Sequence, residues 1–266
     1  MLITTSKIER SKVIARDGAL GRVDTFLFDD EQWVVRYLVV RHGPPLLRKH
    51  ALISVASVKS PAGADDSGIA VDLTRKEVKH APSADVARPV SRRKEEQFHR
   101  YYRIPVYWGG SGLWGASMTP MEAGTVTYEP ESQTEPIGAR EDEYHLRSTR
   151  EVEGYRVETA DAHSGDEESD DSIVGAVGGF LIEDTTWAVR YLRIDAHESF
   201  GGGFLYVSPH WVGEFSWIEH KMTLEMQASR LREIPTFGVK ESLGRSEEEQ
   251  LHAFFEKPGY WKEDPR

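Results

Sequence analysis

Two stretches 154 positions apart are nearly the same: Gly21-Arg-Val-Asp-Thr-Phe-Leu-Phe-Asp-Asp-Glu-Gln-Trp33-Val-Val-Arg36-Tyr37-Leu38 and Gly175-Ala-Val-Gly-Gly-Phe-Leu-Ile-Glu-Asp-Thr-Thr-Trp187-Ala-Val-Arg190-Tyr191-Leu192. A long self-similar period means one structural unit built twice. Ser54 and Val58 answer to Ser208 and Val212 at the same offset. At an offset of 153, Val71, Leu73, Val78 and Pro82 answer to Leu224, Met226, Leu231 and Pro235. The same offset lays Glu95-Glu-Gln-Phe98-His99-Arg-Tyr101-Tyr102 on Glu248-Glu-Gln-Leu251-His252-Ala-Phe254-Phe255, and each copy closes on Pro-x-Tyr-Trp, at Trp108 and Trp261. The period divides the chain into a first repeat over 1–108, a connector over 109–160 and a second repeat over 161–266.

A length of 266 residues suits two domains of roughly 100–200 residues each. No apolar run reaches the ~18 residues of a membrane-spanning helix. Met1-Leu-Ile-Thr-Thr-Ser-Lys lacks the apolar core and cleavage site of a secretory signal, so cytoplasm is the expected location. The absence of cysteine excludes disulfides, thiolate metal sites and cysteine nucleophiles.

The net charge of −11 is local. Glu129 to Asp171 holds 15 acidic and 4 basic residues, a balance that equals the charge of the whole chain. The connector opens with Gly109-Gly-Ser-Gly-Leu-Trp-Gly, and the acidic stretch ends in Gly165-Asp-Glu-Glu-Ser-Asp-Asp171. Low hydrophobicity with like charge predicts a long, irregular, solvated segment. Asp166, Glu168 and Asp170 stand at alternate positions, but the spacing of an EF-hand loop is missing, so a solvated turn is expected and no metal site is assigned.

Each repeat reads mainly as strand. Trp33-Val-Val-Arg-Tyr-Leu-Val-Val40 is β-branched and aromatic, and alternation puts Trp33, Val35, Tyr37 and Val39 on one face. Both faces are largely apolar, which predicts a closed or covered sheet. Val23 to Phe28 reads as its hairpin partner, with Asp29 to Gln32 as the turn and Glu183 to Thr186 as its counterpart. Further strands are expected near 51–55, 69–73, 204–208 and 222–226, a spacing that suits a small barrel. A short helix follows each barrel, carrying Phe98, Tyr101 and Tyr102 in one copy and Leu251, Phe254 and Phe255 in the other, with Ser246 and Glu249 as a capping box. The proline of Pro-x-Tyr-Trp is expected to stop the helix.

These residues resemble a known family. Gly-x-Val, Phe-Leu-Phe-Asp-Asp, Trp-x-Val-Arg-Tyr-Leu-Val-Val, Leu-Ile-Ser, Leu-Thr-Arg-x-x-Val-x-x-x-Pro and Tyr-Tyr-x-x-Pro-x-Tyr-Trp look like the PRC-barrel domain, present twice. The resemblance covers about three quarters of the chain and is weaker in the second copy, where Met222-Thr-Leu-Glu-Met-Gln-Ala-Ser-Arg230 stands for Val71-Asp-Leu-Thr-Arg75. The family includes the cytoplasmic domain of the reaction-centre H subunit and the C-terminal domain of a ribosome maturation factor. Both use the barrel for docking and assembly. The resemblance therefore implies two tandem small β-barrels, each followed by a short helix.

Chemistry-bearing motifs are few. Arg36 and Arg190, repeated with Asp30 and Asp184, suit a structural ion pair pinning the hairpin or an anion site. His99 and His252 alone recur among ten histidines, no two of which have ligand spacing, and their helical position suits packing or surface. Gly201-Gly-Gly203 lacks the Lys-Ser/Thr of a phosphate loop and reads as a turn. Ser91-Arg-Arg-Lys94 is too small and too close to Glu95 and Glu96 for nucleic acid. The expectation is a non-catalytic interaction or scaffold protein without a cofactor, its partner another protein or a second copy. The aromatic candidates for structure or docking are Trp33, Tyr37, Tyr101, Tyr102, Trp108, Trp187, Tyr191, Phe254, Phe255 and Trp261. The alternative is a sensor of a small ligand or ion, held between the barrels or on the acidic connector.

Overall fold

The structure, a computed structural model, describes residues 1–44, 48–59, 68–82, 90–108, 110–126, 144–163, 172–235, 237 and 242–262. It is mainly β, with two multi-stranded sheets. The chain divides into two compact units. The first comprises Met1, Ile3–Glu151 and Ile182–Ala188, and the second Leu2, Val152–Leu181 and Val189–Arg266.

The first unit carries β1 (Leu2–Thr4, its first residue apart), α1 (Thr5–Ile8), β2 (Lys12–Ala15), β3 (Gly18–Asp29), β4 (Val34–His42), β5 (Lys49–Ser54) and β6 (Ile69–Ala70). After α2 (Arg75–His80), β7 (Val90–Ser91), α3 (Arg92–Tyr102) and α4 (Pro120–Thr125) come β8 (Tyr144–Ser148) and α5 (Thr149–Val152). Its sheet runs β5-β4-β3-β2-β6, with β8 paired to β3 and β7 to β8. The β2–β6 pairing is parallel. Every residue from Val34 to Val40 is buried, so both faces of β4 are covered. Tyr37 and Val39 on one face join Leu27, Leu52, Val90, Phe98 and Leu146 in one cluster, against which Tyr102 also packs. Thr74 and Glu77 form a capping box that starts α2, a helix the strand-rich sequence reading does not contain.

The second unit runs β9 (Arg156–Thr159), β10 (Ile173–Glu183), β11 (Val189–Ala196), β12 (Phe204–Val207), β13 (Val212–Ser216), β14 (Lys221–Leu224), α6 (Ala228–Leu231) and α7 (Arg245–Phe254). The sheet order is β12-β11-β10-β9-β14-β13, and β9–β14 is parallel.

Several expectations change. The segment 109–160 is not simply an irregular connector: β8 and β9 are strands, and α4 is a helix capped by Thr119 and Glu122. The strand that opens the second unit lies before residue 161. Only Arg16 and Asp17 separate β2 from β3, whereas residues 160–172 separate β9 from β10, so a constant offset misses the match. The acidic run from Asp166 to Asp170, like residues 129–143, lies outside the described residues.

Trp33 is not a strand residue. It sits at φ +53 and Trp187 at φ +61, in the left-handed region, and each donates its backbone N–H back to the residue that opens the turn, Asp29 or Glu183, at 2.8 Å. The Asp29 carboxylate accepts the N–H groups of Glu31 and Gln32 inside the turn. Helix α7 begins at Arg245, where the Glu247 carboxylate accepts the Gly244 N–H at 2.7 Å, so Ser246 and Glu249 are not its cap. Helix α3 ends before Pro105 is reached. Arg103 turns the chain at φ +55, and Glu256 takes φ +54 just beyond α7.

Candidate functional site

In the first unit, α3 lays Arg92, Glu95 and His99 one helical turn apart along one buried face. The strand β4 brings Arg36 and Tyr37, and the chain after α3 brings Tyr107 and Trp108. The Tyr107 hydroxyl donates to Glu95 at 2.5 Å, and Arg92 reaches Glu95 at 3.2 Å and the Tyr107 oxygen at 2.9 Å. His99 Nδ1 donates to the Ile104 carbonyl, which leaves Nε2 to accept from the Tyr37 hydroxyl at 3.1 Å. The Arg36 guanidinium lies 3.7 Å over the Tyr107 ring and Arg92 lies 4.4 Å over Trp108.

Burial sets the protonation of this cluster. It pushes Glu95 up to about 8, outweighing the neighbouring Arg92 cation and the Tyr107 hydrogen bond, which favour the charged form. It pushes His99 down to about 4 and raises the Tyr37 and Tyr107 hydroxyls well above their ordinary range. Both ring nitrogens of His99 are thus engaged, one by the Ile104 carbonyl and one by the Tyr37 hydroxyl.

The expected Arg36–Asp30 pair is replaced. Arg36 meets Asp29 at 3.3 Å, Gln32 at 2.5 Å and the Leu113 carbonyl at 2.5 Å, while Asp30 accepts from Arg147 at 2.7 Å. Alternation explains the change: with Trp33 looped out of the strand, Arg36 faces the inner side of the turn, where Asp29 lies.

The second unit assembles the counterpart residues. Tyr260 donates to Glu248 at 2.7 Å, Arg245 reaches Glu248 at 3.2 Å, and His252 Nδ1 donates to the Pro258 carbonyl at 2.8 Å. The Tyr191 hydroxyl lies between His252 Nε2 at 3.0 Å and Glu248 at 3.2 Å. Arg190 stands 4.0 Å over Tyr260 and Arg245 4.0 Å over Trp261. Burial lowers His252 and raises Tyr191. Asp184 accepts from the Met1 amino group at 2.6 Å within the first unit.

The two clusters differ in what covers them. In the first, residues 110–126 lie across Tyr107 and the turn Val55–Ser57. The Leu113 carbonyl sits on Arg36, and Trp114 lies 4.7 Å from the guanidinium, 4% exposed, its indole donating to the Thr186 carbonyl at 2.9 Å. The Gly-rich stretch is therefore a tight packed loop, not a loose linker. A Cβ on Gly115, at φ +73, would fall 2.8 Å from the Val106 carbonyl, and one on Gly124 of α4 2.4 Å from the Ala56 carbonyl. In the second unit the corresponding ground is a cavity of about 340 Å³, lined by Arg190, Ser208, His210, Trp211, His252, Lys257, Pro258 and Tyr260. By sequence position His210 stands for Ala56, Trp211 for Ser57 and Lys257 for Ile104.

The structure brings Arg36, Tyr37 and Trp108 together, and likewise Arg190, Tyr191 and Trp261. Phe255 stacks on Trp211 at 4.4 Å and Phe254 lies under Arg230. Tyr101 is 38% exposed and donates to the Glu77 carbonyl, and Tyr102 packs edge-on against it. Trp33 and Trp187 are buried in their hairpin turns. The roles of Arg92, Glu95, Arg245 and Glu248 escape sequence reading. Their signal was present, since all four recur at an offset of 153 on a polar stripe. Among the described residues no group of His, Asp and Glu has metal-site geometry, and no helix is long and apolar enough to cross a membrane.

No protein-family model and no curated protein matches this chain.

Proposed function

We propose that the chain is a non-catalytic, cytoplasmic interaction protein built from two PRC-type barrel modules, acting through a docking surface on the second. One observation carries this reading. The titratable side chains that recur in both units are committed to hydrogen bonds and ring contacts, while the ground beside them is filled by the protein's own loop in one unit and, among the described residues, is a cavity in the other. A catalytic constellation leaves a base or nucleophile addressing an open space. Here both recurrent imidazoles, His252 in the cavity wall included, are lowered by burial and held between a tyrosine and a backbone carbonyl.

Affinity capture with the full chain from its native cell, quantified by mass spectrometry, tests the reading. The expected result is a stoichiometric partner protein or a second copy of the chain. A metabolite that raises the melting temperature at micromolar concentration, with no protein retained, would replace it with the sensor reading.

A further inference from the structure

We propose that the cavity beside Arg190 is a peptide seat, taking a tryptophan-bearing, acidic segment of a partner protein in the manner in which the first unit seats its own Leu113 and Trp114. This rests on the interaction reading above and names the occupant.

The first unit shows what this kind of ground holds. A main-chain carbonyl caps the guanidinium of Arg36, and an indole slides in beside it against Tyr107, their ring centroids 6.4 Å apart. Glycine at the next position lets the backbone approach the Val106 carbonyl. The floor of that contact is Arg36 and Tyr107, and the second unit repeats both as Arg190 over Tyr260 at 4.0 Å.

The walls differ in a way that selects the occupant. Trp211 in place of Ser57 adds an aromatic wall stacked on Phe255, which favours an aromatic guest. Lys257 in place of Ile104 adds a cation to the rim beside Arg190, and among the described residues that line the cavity there is no carboxylate. A segment carrying an acidic residue beside its tryptophan therefore gains where the first unit's neutral loop does not. The volume of about 340 Å³ lies in the range of ligand-sized pockets.

The probes are two heptapeptides titrated into the full isotope-labelled chain: Ser-Gly-Leu-Trp-Gly-Ala-Ser, copied from residues 111–117, and the same peptide with glutamate for leucine. Saturable binding of one peptide per chain is expected, with shifts at the Trp211 and Trp261 indole signals and none at Trp114. The glutamate peptide binds more tightly, by about tenfold, and loses that advantage at high salt. Arg190→Gln weakens both at least tenfold. Lys257→Gln, at an exposed position, removes part of the glutamate advantage without disturbing the fold. No saturation at millimolar peptide overturns the seat, as does equal binding by a peptide with alanine for tryptophan. Displacement of the glutamate peptide by inorganic phosphate at equal concentration overturns it in favour of a small-anion site. A captured partner held equally by the wild-type chain and Arg190→Gln overturns the seat alone and leaves the interaction reading standing, whereas loss of all captured partners removes that reading itself.

Discussion

Trp33 adopts a backbone conformation that bulky residues rarely take, and it does so because its ring is worth more buried than its φ is worth relaxed. The indole stacks on Phe28 at 4.9 Å and is 7% exposed. Trp33→Ala should destabilise the first unit by ~3–5 kcal/mol in denaturant unfolding, the ordinary loss for a buried large aromatic. Glu95 and His99 make a second prediction, with opposite signs. Glu95 stays protonated in the fold up to about pH 8, whereas the unfolded chain ionises near 4.5, so its contribution is complete below 4.5 and is lost as pH rises to 8. His99 stays neutral down to about pH 4 against an ordinary 6.5, so its contribution is complete above 6.5 and is lost as pH falls to 4. The two slopes oppose each other between 4.5 and 6.5. Above 6.5 only Glu95 acts, and stability should fall by about 1–2 kcal/mol up to pH 8 at ~1.4 kcal/mol per pH unit. Thermal unfolding of Glu95→Gln should lose that decline, and an unchanged profile would show that the carboxyl is already ionised at neutral pH.

At the scale of elements, the loop from 110 to 117 does what its composition disguises. Glycine suggests flexibility, yet Gly112 bridges Gly115 and Trp114 bridges Ser117, so the chain folds back on itself twice within a few residues. The glycines are there for close approach. Gly115→Val should strain the backbone and push the loop off Tyr107, at a cost of roughly 1–3 kcal/mol for a side chain held at that φ. Trp114 emission should shift to the red, and Arg36 should become accessible. A variant with native emission and stability would show that the loop has an alternative seat.

For the whole molecule, the boundaries of folding differ from those of the repeat. Ile182–Ala188 belongs to the first unit, where the Trp187 carbonyl accepts the Val35 N–H at 2.9 Å and Trp187 is 2% exposed. A fragment cut at residue 160 therefore lacks part of its first unit and should melt below the corresponding transition of the full chain. Calorimetry of the full chain should resolve two transitions, and the one lowered by Trp33→Ala should carry the Glu95-dependent fall above pH 6.5. A single transition with no such dependence would mean that the units unfold together.

The period, the strand-rich pattern and the helix stripes were legible in the chain because each is short-range: alternation along β4 and the placing of Phe98 and Leu251 follow from local backbone geometry. The recurrence of Arg, Glu, His and Tyr on that stripe was legible too, without its meaning. Only the tertiary structure decided that Arg36 faces Asp29 and not Asp30, since one left-handed residue at Trp33 rotates the side chains after it. It alone decided that residues 110–126 close over one cluster while, among the described residues, the same ground in the second unit is a cavity. Contacts of this kind join positions such as Arg36 and Leu113, 77 residues apart. What brings them together is the packing of sheet, helix and loop, and no local periodicity encodes that.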